Sequence, residues 1–361
     1  MTDSIIRAID ISRAALEENS DSNWIIGFSG GKDSTALLKI FRAAAEKARK
    51  LPPKIDVIYC DTGVENPALD HYVKDLLQRM EGEFLSDRLP FRTKTLSAPV
   101  SERFFVKIVG RGYPPPTNSF RWCTKSLRIK PVSRFISEAA DRDAIVALGM
   151  RRSESQQRDR SISQNGGEHW QTQNEGSKRY KLFLPILDLD VGQVWDAVFT
   201  LKGPNSVQPR TLERLYRGAS GECPIIKSPQ AAPCASGRFG CWTCTVVRRD
   251  RSAESLVGAG HSYLAPFLEF RNWLAKIRNE PSLPWGTRRN GKAGLGPFTL
   301  SARVDILYKL RELENITKSE IVSVEEENEI FRLWLLDKEI DSTVDLNAFL
   351  KNRLKNGNPL H

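Results

Sequence analysis

Histidine is scarce in this chain. His71, His169, His261 and His361 are scattered and form no metal-ligand pattern. No apolar run approaches the length that spans a bilayer, so no membrane partner is expected. The opening stretch MTDSIIRAIDISRAALEENS lacks a basic region followed by an apolar core, so an export signal is not expected and a cytoplasmic location is. The phosphate loop GxxxxGK[ST] is missing, as is any internal repeat. CxxC occurs once, where structural zinc more often uses two such pairs. In a reducing compartment the six cysteines argue against a disulfide framework.

What is present describes a globular protein. The 361 residues are 40% apolar and 27% charged, enough for one large core or two modest ones. The net charge of +10 is uneven. Residues 101–160 carry 13 Lys/Arg against 6 Asp/Glu, residues 201–300 carry 15 against 6, and residues 301–361 carry 9 against 12. A basic middle with an acidic tail fits a polyanionic partner or a solvated surface of high pI.

Apolar patterning predicts a helix over 4–18, a buried strand over 24–28, a helix over 34–50, and strands over 55–63, 144–150 and 182–190. Strands alternating with helices give an α/β class with a doubly wound, mostly parallel sheet. From about Tyr216 the chain turns to Pro, Gly, Ser and Cys with little periodicity, and helical patterning resumes over 302–315 and 318–339. Three segments follow: a nucleotide domain over 1–215, a cysteine-rich basic region over 216–300 and a helical C-terminal region over 301–361.

FSGGKDST, residues 28–35, lies where the first strand turns into a helix. The unpaired N–H groups of a helix start favour an anion. Gly30 and Gly31 admit close backbone approach. Lys32 adds a positive charge, and Ser29, Ser34 and Thr35 offer hydroxyls. SGGKDS resembles the PP-loop of ATP pyrophosphatases. CDTGVENP (60–67), RWCTKSLRIKP (121–131) and GMRRSESQQR (149–158) are similar to the phosphoadenosine phosphosulfate (PAPS) reductase branch of that family. The resemblance implies that Ser29, Gly30, Gly31, Lys32, Asp33 and Ser34 hold ATP, with Asp61 at the adenosine or metal side. It further implies that Lys32, Asp33, Arg151 and Arg152 act on the phosphates with Mg²⁺, and that Arg121, Lys125 and Lys130 line the acceptor side. Cys123, taken alone, reads as a small buried hydrophobe, and Cys60 as core.

Cys223, Cys234, Cys241 and Cys244 are spaced C-x10-C-x6-C-x2-C. Four thiolates suit an iron–sulfur cluster or zinc, with the single CxxC favouring the former. RFGCWTCTVVRRDRS (238–252), with GLGPFTLSARVDILYKLREL (294–313) downstream, resembles the DndC- and SspD-type DNA phosphorothioation proteins. That likeness implies a [4Fe–4S] cluster, DNA as substrate, a cysteine desulfurase as sulfur donor and further partners from the same gene cluster. Arg248, Arg249 and Arg251 would then touch DNA phosphates. The function expected is ATP-dependent sulfur modification of DNA, with a sulfonucleotide reductase or a tRNA thiolation enzyme as alternatives.

Overall fold

The structure, a computed structural model, describes residues 2–138, 144–152, 168–175, 178–220 and 239–337. Helix α1 (Asp3–Glu18) buries Ile5, Ala8, Ile9, Ala15 and Leu16, the three-to-four spacing of an amphipathic face. In β1 (Asn23–Gly27) Trp24, Ile25 and Ile26 are buried in succession, the mark of a strand covered on both faces. Then come α2 (Lys32–Lys47), β2 (Ile55–Asp61), α3 (Pro67–Ser86) and β3 (Phe91–Ser97). Asn66 starts α3 by accepting a hydrogen bond from the Ala68 N–H at 3.0 Å, and Pro67 occupies the first turn.

The middle of the chain adds α4 (Trp122–Thr124), α5 (Lys130–Glu138), β4 (Ala144–Ala147), β5 (Trp170–Glu175), β6 (Lys178–Phe183), α6 (Val191–Thr200) and α7 (Pro209–Ser220). The last part supplies α8 (Arg251–Gly258), α9 (Ala265–Ile277), α10 (Leu300–Thr317) and α11 (Val324–Asp337). Among the described residues no helix is long and apolar enough to cross a membrane.

The six strands lie in the order β3-β2-β1-β4-β6-β5. β1 is parallel to both β2 and β4, β4 is parallel to β6, and β5 returns antiparallel to β6. This is the mostly parallel α/β sheet expected, joined to a helical C-terminal region. The sheet grows one way from β1 and the other way from β4. Such a reversal opens a crevice at the carboxyl ends of the two strands, where α/β folds bind ligands. Ile26 pairs with Val57 on one side and Ala147 on the other, so the loops after β1 and β4 leave at the same level.

Two expectations change. The strand predicted over 182–190 stops at Phe183. The run beyond it is as apolar as a strand, but Pro185 has no N–H for a ladder, and Leu184, Ile186 and Leu187 are buried in a turn. Asp190 then caps α6, with Gln193 reciprocating. The irregular stretch expected from Tyr216 is also interrupted, since Tyr216 lies within α7 and regular structure resumes at α8.

Two compact units emerge. The first comprises the described residues of Met1–Cys60, Asn66–Leu96 and Pro131–Phe239. Its core centres on Trp24, which meets Phe41 and Phe183 edge-on at 5.6 and 6.0 Å. The second gathers Asp61–Glu65, Ser97–Lys130 and the described residues from Gly240 onward. Its core includes Phe104, Phe105, Trp122, Trp242, Phe267, Phe270 and Leu307. The units interleave along the chain.

Candidate functional site

The loop after β1 is stiffened from within. The Ser34 hydroxyl accepts from the Ser29 N–H at 3.2 Å, lies 3.1 Å from the Ser29 hydroxyl and donates to the Gly31 carbonyl at 3.0 Å. Gly30 adopts φ +71°, and a Cβ there would stand 2.0 Å from Cγ2 of Val73. Glycine is therefore required at that position. Gly31 precedes the first turn of α2, whose leading N–H groups have no intrahelical partner.

Charge is concentrated on the first turn. Asp33 accepts from Lys32 Nζ at 2.7 Å through one oxygen and from Arg151 Nε at 2.5 Å through the other. Burial pushes its carboxyl up, yet Lys32 and Arg151 together outweigh burial and hold it below the ordinary range. Tyr216, far away in sequence, closes the other side. Its hydroxyl accepts from the Lys32 N–H at 3.2 Å, and the Lys32 ammonium lies 5.3 Å from its ring centre. Phe239 and Trp195 hold that ring edge-on at 5.1 and 5.5 Å. Burial raises the Tyr216 phenol above its ordinary value, so it stays protonated beside any anion. Sequence reasoning missed Tyr216, which has no local signal.

The paired arginines divide. Arg151 is buried at 4% exposure, bonded to Asp33 and, at 3.4 Å, to the Leu189 carbonyl. Arg152 is exposed and donates to Asp188 at 2.8 Å. Arg151 thus meets the loop through Asp33. Gly149, two residues earlier, lies under the start of α2: a Cβ there would meet the Asp33 carbonyl oxygen at 2.8 Å and the Ser34 nitrogen at 3.1 Å. Gly149→Ala therefore displaces the first turn. The expected outcome is a melting temperature lowered by several degrees, from an overpacking cost of about 1–3 kcal/mol. Calorimetry checks it.

Asp61 ends β2, next to β1, and accepts from the Gly63 N–H at 2.8 Å. In the second unit three thiols come into play. Cys241 and Cys244 are half-buried, and the Cys244 N–H donates to the Cys241 carbonyl at 3.0 Å. Thr62 Oγ1 and Arg128 Nη2 each lie 3.9 Å from the Cys241 sulfur, and Arg128 also pairs with Glu65 at 2.8 Å. Burial, then the Glu65 carboxylate, pushes the Cys241 thiol up to about 12. Burial, then the Cys244 thiol, likewise raises Cys123. Cys123 is thus an electrostatic neighbour of the CxxC pair rather than an isolated core residue, a relation no local pattern reveals. Arg271, almost wholly buried, holds the loop beyond by donating to the carbonyls of Cys244, Val247 and Arg248. Cys223 and Cys234 lie outside the described residues.

A model of the phosphoadenosine phosphosulfate reductase domain matches residues 23–246, well over half of the chain. The chain belongs to that family. The span of this PAPS reductase domain begins at β1 and ends just past Cys244, so it includes the PP-loop, Arg151 and the thiols. A relative, an uncharacterized protein of Methanocaldococcus jannaschii, is 28% identical over 131 residues, which are 36% of this chain and 23% of that protein. The chain thus matches less than a quarter of that relative's length. FMN adenylyltransferase of Candida glabrata with FMN and an ATP analogue overlaps 85% of each chain at 14% identity and TM-score 0.38. PAPS reductase of Candida auris in a phosphate complex overlaps 53% of this chain and 77% of its own, at 15% identity and TM-score 0.34. The U34-tRNA thiolase NcsA of Methanococcus maripaludis, with its [4Fe-4S] cluster, overlaps 75% and 80% at 14% identity and TM-score 0.36. Overlaps this loose carry no argument about activity.

The remaining cations of the PAPS reductase domain and its flank differ in availability. Lys130 is committed to Glu102 at 3.0 Å, as is Lys107. Burial would raise Glu102, but these two ammonium groups hold it at about 2. Arg121 and Lys125 are exposed and, among the described residues, pair with no carboxylate. Arg249 is clamped by both oxygens of Glu254, at 3.1 and 2.8 Å. Arg248 and Arg251 are exposed without such a partner among the described residues.

Proposed function

We propose that this protein uses ATP to activate a backbone phosphate of DNA so that sulfur replaces a non-bridging oxygen. The observation that supports the ATP half is the loop after β1, where Lys32, Asp33 and Arg151 are linked at the first turn of a helix beside a sheet reversal. A DNA phosphate oxygen attacks the α-phosphorus of ATP and pyrophosphate leaves. Lys32 and Arg151 stabilise the charge that develops on the leaving group; Mg²⁺, if bound with Asp61 on the adenosine or metal side, would supply a counter-ion to the phosphates. A persulfide from a cysteine desulfurase then attacks the activated phosphorus with its outer sulfur and expels AMP. A second thiol takes the inner sulfur as a disulfide, leaving the phosphorothioate.

The choice of DNA rests on the likeness of residues 238–252 and 294–313 to DndC- and SspD-type proteins, and the basic middle of the chain supports it. Nuclease digestion of DNA from cells carrying the intact gene cluster tests the reading, since dinucleotides with sulfur on the linking phosphate are expected. Sulfur on tRNA bases with none in DNA overturns it in favour of tRNA thiolation, and sulfite made from PAPS overturns it in favour of a reductase.

Cys223, Cys234, Cys241 and Cys244 are the proposed ligands of a [4Fe–4S] cluster, zinc being the alternative. Among the described residues no group of three or more His, Cys, Asp or Glu side chains is assembled to hold a metal ion. The described pair therefore does not close a site alone, and no step above passes through a cluster. Protein prepared without oxygen is expected to carry about four iron and four sulfide per chain. Cys241→Ser or Cys244→Ser should remove them and Cys60→Ser should not. Stoichiometric zinc without iron overturns the assignment.

A further inference from the structure

Residues 284–298 form a hairpin held by two antiparallel bridges, Pro284 with Phe298 and Thr287 with Ala293. The Trp285 N–H donates to the Pro297 carbonyl and the Gly296 N–H to the Trp285 carbonyl, each at 2.8 Å, and the Arg288 N–H donates to the Lys292 carbonyl at 3.0 Å. Its glycines are demanded by the backbone. Gly291 and Gly294 have φ of +76° and +122°, and a Cβ on Gly296 would stand 2.1 Å from the Thr287 carbonyl oxygen.

The hairpin is braced at both ends. Phe298 at its base is buried, and Arg289 in its turn grips both oxygens of Asp337 at 2.9 and 2.7 Å and donates to the Arg111 carbonyl at 3.0 Å. Asp337 is shared with Arg303, and both guanidinium groups lie over the Trp285 ring at 5.5 and 5.3 Å. The neighbours of Arg289 in the turn are different. Arg288, Asn290 and Lys292 are exposed, and nearer the base Leu295 is 70% exposed between two glycines. No Asp or Glu occurs between Glu280 and Asp305. Among the described residues Arg288 and Lys292 pair with no carboxylate. The fold therefore spends Arg289 and Arg303 on its own stability and leaves Arg288 and Lys292 unused on a braced projection.

We propose that this hairpin is a finger that grips the sugar–phosphate backbone of DNA, with Arg288 and Lys292 each neutralising one phosphate. The tip cations lie in no buried cradle, so a small anion would stay hydrated there. A polyanion gains because each neutralised phosphate releases condensed counterions. The narrow glycine-rich tip admits close approach, and Leu295 offers an apolar contact of the kind used against base steps. The choice of DNA as the polyanion rests on the proposed function.

The test measures binding of the full chain to a labelled DNA oligonucleotide across a salt series, comparing wild type with Arg288→Ala/Lys292→Ala. The log–log salt slope should become shallower by about 2, close to one per lost contact. Melting temperature and DNA-independent ATP cleavage should be unchanged. An unchanged slope overturns the finger and leaves the sulfur-modification reading standing. A reduced slope in a protein whose DNA carries no phosphorothioate upholds the finger and overturns that reading. Wild-type binding to RNA but not to DNA overturns the choice of polyanion.

Discussion

Lys32→Ala is expected to slow formation of AMP and pyrophosphate from ATP by about a hundredfold or more, the usual loss when a charge stabiliser is removed from a developing anion. The loop should survive the change. Asp33 loses one partner but keeps Arg151 on its other oxygen at 2.5 Å, and the Ser29–Ser34–Gly31 bonds do not involve the lysine side chain. Melting temperature should therefore move little while the rate collapses. Arg151→Ala makes the contrast: it leaves Asp33 beside Lys32 and empties a buried position, so stability and rate should fall together. Release of ADP and orthophosphate by the wild-type protein would remove the basis of the assignment, because a PP-loop addresses the α–β bond.

The other large effect is expected from Cys241→Ser. DNA from cells carrying this variant should contain no detectable phosphorothioate, and the wild-type chain should restore it. The purified variant should still cleave ATP, because Cys241 belongs to the second compact unit and the loop to the first. Lys32→Ala should depress both activities together. Serine retains the size and hydrogen bonding of the side chain but cannot carry sulfur or bind soft metals as a thiolate does. If the variant modifies DNA as well as the wild type, Cys241 has no part in sulfur handling.

The loop was legible in the sequence because its determinants are local. Two glycines, a lysine and serines between an apolar strand and a helix are specified within eight residues, and β1, α2, β2 and β4 follow from short apolar runs. What was missed depends on distant partners. The Tyr216 hydroxyl reaches the Lys32 N–H across 184 positions, and nothing near Tyr216 marks it. Arg151 and Arg152 look alike in sequence. Their separation, one turned to Asp33 and the other to Asp188, is decided by which side of the chain each faces after β4. Cys123 was legible only as a small apolar side chain, since its relation to Cys244 arises from tertiary packing. Helix α3 and the edge strands β3 and β5 gave no clear signal, the exposed positions of β3 diluting its apolar pattern.

The interleaving of the two units has a consequence during synthesis. Phe104, Phe105, Val106, Ile108 and Val109 leave the ribosome long before Trp242, Phe267, Leu274 and Leu307, the residues that share their core. A chain elongating at about 5–20 residues per second keeps that apolar segment without its native cover for several seconds or longer. The sheet unit must also wait, because β6 and α6 follow the excursion through residues 97–130. Neither unit can be cut out as one continuous fragment. Truncation before residue 240 strands that apolar segment without its native cover instead of releasing a nucleotide domain.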